Sequence, residues 1–280
     1  MPSLGANDTT HSWRWFPNEG RETELVQTIP ARSSADGSSR HLLAAGNQLL
    51  SVLPVAAFEV LLPWLETVDL VQGESLFEPG DNVAHAFFPL NATTVGLVLP
   101  MADGRSVEAT TIGREGVIGG IVSLGNAPAF ARGLVQVPGQ AARIPIARLE
   151  TTKRAEPGLH DILARYADCL TAQVLQSVAC ATVHPLEARC ARWLLMTHDR
   201  LRRADLPMTQ ESFAEMFGVA RTYMTRVARS LQKRGAISYH RGTIHIDDRE
   251  MLEEAACECY SSVRGHFDRV LPGVYPAAEP

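Results

Sequence analysis

A chain of 280 residues can bury one large core or two ordinary ones without help from disulfides or metals, and a makeup of 45% hydrophobic and 20% charged residues is that of a water-facing globular protein. No apolar run reaches the length of a membrane span and the first residues lack the basic-then-apolar order of a secretory leader, so the expected location is the cytoplasm, with no membrane partner. The net charge of −5 conceals an asymmetry: residues 187–235 hold ten Lys and Arg against five Asp and Glu, while residues 1–150 hold nine against fifteen, which points to a polyanion-facing surface in the second half.

Residues 1–40, ending near "RSSADGSSR", are polar without an apolar period and are expected to form a disordered tail. From position 41 to 68 the apolar residues recur at helical spacing, broken by Pro54 and Pro63 into short helices. Between 68 and 150 the texture changes to short β-branched runs separated by turn signals such as "EPGDN", "LPMADGRS" and "QVPGQ", the pattern of a small antiparallel sandwich or barrel. Asp103-Gly104 is the clearest hairpin tip, since glycine supplies the positive φ that a primed turn demands.

After Pro157 a long helix is predicted over 158–183, with Leu159, Ile162, Leu163, Tyr166, Leu170, Val174 and Val178 in one stripe. Burial against its own domain and pairing with a second copy both satisfy the stripe. Pairing is favoured, because the helix leaves the β region toward a separate module. Another helix follows His184-Pro185, with Pro185 at its first position and Trp193 in its core face.

Residues 209–246 pack two helical patterns, a glycine break and a hairpin into a short span. Thr209 caps a helix whose Phe213, Ala214, Met216 and Phe217 look inward, and Gly218 terminates it. A second helix over about 220–234 turns Met224, Val227 and Leu231 inward, so Arg221, Thr222, Thr225, Arg226 and Arg229 face outward. Arginine can donate to guanine in a bidentate pair and threonine offers a hydroxyl and a methyl, a set suited to base edges. Lys233 and Arg234 suit phosphates. "AISYH" and "TIHI" around Arg241-Gly242 read as a wing, and Asp247 with Glu250 as the capping box of a last helix.

With a roll-like β region, a long connecting helix and a terminal winged helix in this order, residues 42–270 resemble the Crp/Fnr family of bacterial transcription regulators. "TQESFAEMFGVARTYMTRVARSLQKRGAI" carries the resemblance, with arginines at the first turn of the recognition helix and five residues later, Arg221 and Arg226. The resemblance implies an α+β chain: an N-terminal cyclic-nucleotide-binding-like β-roll (41–157), a dimerisation helix (158–183), a winged helix-turn-helix (184–265) and a C-terminal tail (266–280). It also implies double-stranded DNA and a second copy as partners. Activation would add RNA polymerase, for which the sequence shows no surface.

Where one subgroup of the family carries Glu after the first arginine, this chain has Thr222, which implies a different operator. The resemblance places the effector pocket at Gly119, Gly120, Arg132 and Gly133. The Gly-Glu and Arg-Ser pairs of a cyclic AMP site are missing there, so an effector other than cyclic AMP is expected.

No cysteine precedes Cys169, and the five (Cys169, Cys180, Cys190, Cys257, Cys259) are scattered and odd in number, which fits a reducing compartment and no disulfide framework. Cys257-Glu258-Cys259 is too tight for the usual structural zinc spacing and reads as small apolar packing on a helix. No cofactor, metal site or catalytic residue is predicted, since nucleophile elbow, phosphate loop and metal-ligand helix are all absent. The alternative to DNA binding is an effector-binding or protein-interaction module that uses the winged helix for docking. It would show no salt-dependent duplex binding.

Overall fold

In the computed structural model, which describes residues 37–119 and 128–276, three short helices come first: α1 (Gly37–Gly46), α2 (Gln48–Ser51) and α3 (Val55–Leu61). Asn47 caps α2 by accepting from the Leu50 amide, and its side-chain amide donates to the Pro89 and Gly116 carbonyls, which ties this cap to the β region. Pro54 and Pro63 interrupt as expected, Pro54 before α3 and Pro63 inside a 3-10 turn (Leu62–Trp64). The predicted tail of residues 1–40 lies outside the described residues up to 36, and its last four residues are already in α1.

Seven strands follow: β1 (Glu66–Leu70), β2 (Ser75–Phe77), β3 (His85–Pro89), β4 (Thr94–Pro100), β5 (Ser106–Ile112), β6 (Arg132–Val137) and β7 (Gly139–Pro145). They form two antiparallel sheets, ordered β1-β7-β3 and β2-β6-β4-β5, closed over Leu70, Phe77, Phe87, Val95, Ile112, Ile118 and Val135. This is the expected antiparallel β-roll. At the β4–β5 tip the sequence expectation needs correction. Gly104 has φ +84, but the loop is Ala102-Asp103-Gly104, closed by Met101 N–H donating to the Arg105 carbonyl, so a three-residue loop replaces the two-residue primed turn.

Helix α4 (Ile146–Ala155) leads into α5 (Pro157–Val183), which has proline at its start. Then come α6 (Leu186–Leu201), β8 (Asp205–Pro207), α7 (Gln210–Met216), α8 (Arg221–Lys233), β9 (Ile237–His240), β10 (Thr243–Ile246), α9 (Arg249–Ala255) and α10 (Cys259–Val270). Pro185 caps α6 from just outside instead of opening it. Among the described residues no helix is long and apolar enough to cross a membrane.

The apolar stripe of α5 is divided. Leu159, Leu163 and Tyr166 are buried in the chain's own core, whereas Leu175 and Val178 are 64% and 63% exposed. The expected C-terminal tail, 266–280, is corrected over its described residues 266–276, and residues 277–280 lie outside them. Residues 259–270 are helix α10, which packs along α5, and Val263, Phe267, Leu271, Val274 and Tyr275 join the same core as Phe58 and Leu163. The segment's Val263-x3-Phe267-x3-Leu271 spacing is helical, so its apolar face finds cover on α5 and not in solvent.

Candidate nucleic-acid interface

The winged helix is built on α6, whose Leu194 and Leu195 are fully buried beside Phe213, Met224, Leu231 and Ile244. Thr209 Oγ1 accepts from the Ser212 amide at 3.0 Å, capping α7 as its sequence predicts. The α7–α8 bend requires Gly218, which sits at φ +64, where a side chain would be strained; an added Cβ would also lie 3.0 Å from Val107 of β5. Met224, Val227 and Leu231 all turn inward, which fixes the rotation of α8 and leaves its opposite face open.

On that face Arg221, Thr222, Arg226, Arg229 and Lys233 are exposed or half-exposed. Arg221 lies 3.9 Å from Glu211, a loose contact between two exposed groups that holds it only weakly. Thr225 is turned elsewhere: its hydroxyl engages the Arg221 carbonyl and Gln210 Oε1, both at 2.9 Å, so it braces α8 against α7. Arg234 is likewise held, 3.2 Å from Glu187 at the start of α6. Tyr223 is a side chain that the periodicity reading passed over. It is 45% exposed, with the Arg226 guanidinium 5.8 Å from its ring centre. Its place three residues before Arg226 was the available signal, since the two share one face of the helix.

The wing closes on Arg241 (φ +46) and Gly242 (φ +82), a two-residue turn with both residues left-handed, which puts Arg241 at the exposed tip. The capping box moves by one residue: Asp248, not Asp247, caps α9 by accepting from the Met251 amide at 3.0 Å, and Asp247 instead accepts from the Ser238 hydroxyl.

The winged helix rests on the roll through polar and apolar contacts. Trp193 Nε1 donates to Glu108 Oε1 at 3.1 Å, and Gln72 Nε2 donates to the Pro207 carbonyl at 3.2 Å. Glu108 also accepts from Thr111 and Gln136, while its burial raises its pKa above the usual carboxylate value. Deeper in the junction, Arg200 Nε meets Glu115 Oε1 at 2.8 Å with both side chains almost wholly buried.

The expected effector residues come out differently. Arg132 is paired with Glu78 at 2.8 Å, so it is not the lone charge its sequence position suggests. Gly133 lies under the Phe77 ring, which would be 2.8 Å from an added Cβ. Gly119 takes φ +97 against the His85 carbonyl, and Gly120 lies outside the described residues. A cavity of about 210 Å³ beside them is lined by Phe77, Asp81 and His85, with no lysine or arginine among its described walls.

Residues 188–255 match the family model of the Crp-like helix-turn-helix domain. The structure is similar to that of a CRP-family transcriptional regulator from Thermus thermophilus, at 19% identity and TM-score 0.57, over 68% of this chain and 96% of that one. A CRP/FNR-family regulator from the same organism is similar at 21% identity and TM-score 0.56, over 68% and 98%. The c-di-GMP-responsive global regulator CLP of Xanthomonas campestris matches at 16% identity and TM-score 0.54, over 70% and 100%. No curated protein sequence matches the chain.

Proposed function

We propose that this chain, a Crp/Fnr-type transcription regulator by its fold and by the helix-turn-helix of residues 188–255, reads a palindromic operator as a homodimer. The observation that carries the reading is the outward face of α8, where Arg221, Thr222 and Arg226 project from the N-terminal half while Met224, Val227 and Leu231 anchor the helix below. That half is the part of a recognition helix that meets base edges in the major groove. Lys233 and the wing-tip Arg241 take phosphates. Thr209, Thr225 and Arg234 hold the reading helix and its neighbours in place, given where their hydrogen bonds and ion pair go.

The exposed Leu175 and Val178 on α5 support self-pairing along the second half of that helix, away from the face that α10 covers. Pairing there would set the two reading helices about one turn of duplex apart, roughly 34 Å. We divide the chain accordingly into a roll at 41–157, a connecting helix at 158–183 and a DNA-binding module from 184. The effector is a small molecule other than cyclic AMP, since Arg132 and Gly133 are already engaged by Glu78 and Phe77.

Selection of sites from random duplex by the purified protein, followed by footprinting, tests recognition and symmetry together. The expected result is an inverted repeat with half-sites one helical turn apart. An affinity for duplex that does not change with salt would overturn the reading in favour of a docking module.

A further inference from the structure

The end of α5 and the junction between α9 and α10 bring together four side chains that the DNA-reading face does not use. Cys180 and His184 stand four residues apart where α5 ends, and Cys257 and Cys259 flank Glu258 where α10 begins. Their sulfur and ring-nitrogen atoms all lie within 4.8 Å of one another. Cys180 Sγ is 3.5 Å from Cys257 Sγ, and Cys259 Sγ is 3.5 Å from His184 Nδ1. A disulfide needs sulfurs about 2.0 Å apart, so these cysteines are not joined to each other. A tetrahedral zinc ion, with Zn–S about 2.3 Å and Zn–N about 2.0 Å, sets its ligand atoms roughly 3.5–3.8 Å from one another. Two of the observed spacings are close to these values and the remaining pairs stay within 4.8 Å, so the four atoms can close around a single ion with a shift of about 1 Å.

We propose that Cys180, His184, Cys257 and Cys259 form a structural zinc site that fastens the end of α5 to the start of α10. The surroundings fit the ligand roles. Glu258 Oε1 lies 3.2 Å from His184 Nε2, the nitrogen left over, so a carboxylate fixes the ring with Nδ1 turned toward the sulfurs. Gln176 Nε2 donates to Cys259 Sγ at 3.0 Å, a bond that a thiolate accepts better than a thiol. All three cysteines are buried, and His184 with the exposed Glu258 marks the side from which an ion enters.

Four protein ligands leave no position open for substrate, which makes the role structural. On binding, three thiols pass their protons to solvent and three thiolates plus one imidazole hold the divalent ion, with no change of oxidation state. The site bridges segments some 77 residues apart in sequence, and α6 departs immediately after His184. The ion would therefore fix the direction in which the winged helix leaves α5.

The test uses the full chain purified under reducing conditions. About one zinc per chain is expected, and the metal-stripped protein should take up one cobalt ion with the visible absorption and thiolate charge-transfer bands of a tetrahedral sulfur-rich site. Cys257→Ser and Cys259→Ser should reduce zinc content at least tenfold, while Cys169→Ser and Cys190→Ser should retain it. Because the cobalt spectrum is read on the unaltered chain, a variant that fails to fold does not decide the outcome. Stripped, folded protein that takes up no cobalt, or a Cys169→Ser chain shown by circular dichroism to be folded that loses zinc as fully as Cys259→Ser, would overturn the proposal. The proposal does not rest on DNA binding, so either reading can fail alone.

Discussion

Exchanging Glu115 for Gln probes the junction between the roll and the winged helix with the smallest change of shape. Glu115 lies in the turn after β5 and Arg200 in the last turn of α6, and their side chains are 3% and 1% exposed. The guanidinium also donates to the Met196 carbonyl at 3.0 Å and to Gln173 Oε1 at 3.2 Å, while the Gly113 amide donates to Glu115 Oε1 at 3.1 Å. Glutamine keeps the volume and an acceptor oxygen but removes the charge, and arginine cannot neutralise itself. Losing one partner of a buried pair costs about 3–5 kcal/mol. Because Met196 and Gln173 remain as acceptors, the lower end applies, about 3 kcal/mol, or a fall in Tm of about 6 °C at about 2 °C per kcal/mol for a long chain. Urea unfolding should show a lower midpoint at unchanged slope. The double variant E115Q/R200M should regain at least half of the loss, since no unpaired charge is left behind. A loss in E115Q below about 1 kcal/mol, the worth of an exposed pair, would refute the claim that this contact is dry and locks the two modules.

Arg221→Ala should cost about 1–3 kcal/mol at one base pair of a selected operator, while Lys233→Ala should weaken all duplexes alike and lower the salt slope by about one, as read by fluorescence anisotropy. Burial raises the Glu108 pKa, so the folded chain holds that proton more tightly than the unfolded one. Its contribution to stability is therefore full below the usual carboxylate value and is lost as pH rises through the folded pKa; Glu108→Gln should flatten this dependence in a pH series of unfolding curves. Phe267→Ala, at a buried ring 5.0 Å from that of Tyr275, should cost about 3–5 kcal/mol in the same assay, and no cost would mean that α10 is undocked in solution. Leu175→Glu should leave the fold intact, give a single-copy species in sedimentation, and abolish binding to a full operator but not to a half-site.

The parts of the fold read most easily from sequence were those with local causes. Thr209, Gly218 and the 224/227/231 spacing fix the helix-turn-helix through a cap, a left-handed residue and an apolar face, all within a short span of chain. The wing was legible for the same reason, since Arg241-Gly242 needs only its own turn geometry. What the sequence hid was set by distant partners. Arg132 looked solitary because Glu78, 54 residues away, meets it only after β2 and β6 pair. Cys257 and Cys259 read as packing because Cys180 and His184, which they meet, come 77 and 75 positions before them in the two close pairs. Helix α10 carried a visible apolar period, but its cover is α5, so a terminal stretch passed for a tail. The one-residue error at Asp248 arose because two adjacent aspartates offer the same cap and only the Ser238 bond to Asp247 separates them.

Helix α5 is where the separate features of the molecule meet. Its first half is sunk in the core with Phe58 and Leu149, and α10 lies along one side of it. Gln173 near its middle reaches both Thr111 of β5 and the Arg200 guanidinium, and Cys180 and His184 close its end against Cys257 and Cys259. The sides of α5 therefore have unequal freedom. The covered sides cannot shift without breaking the buried bonds of Gln173 to Arg200 and Thr111 or exposing Phe267, whereas the side bearing Leu175 and Val178 is open among the described residues. A signal from the roll that acted by tilting the winged helix within one copy would have to overcome all of those buried contacts together. A signal that changed how two α5 helices meet would meet only the apolar contacts of that open side. Under the proposed homodimer, the lower-cost route for an effector is the pairing angle of the two copies, which sets the spacing of the reading helices directly.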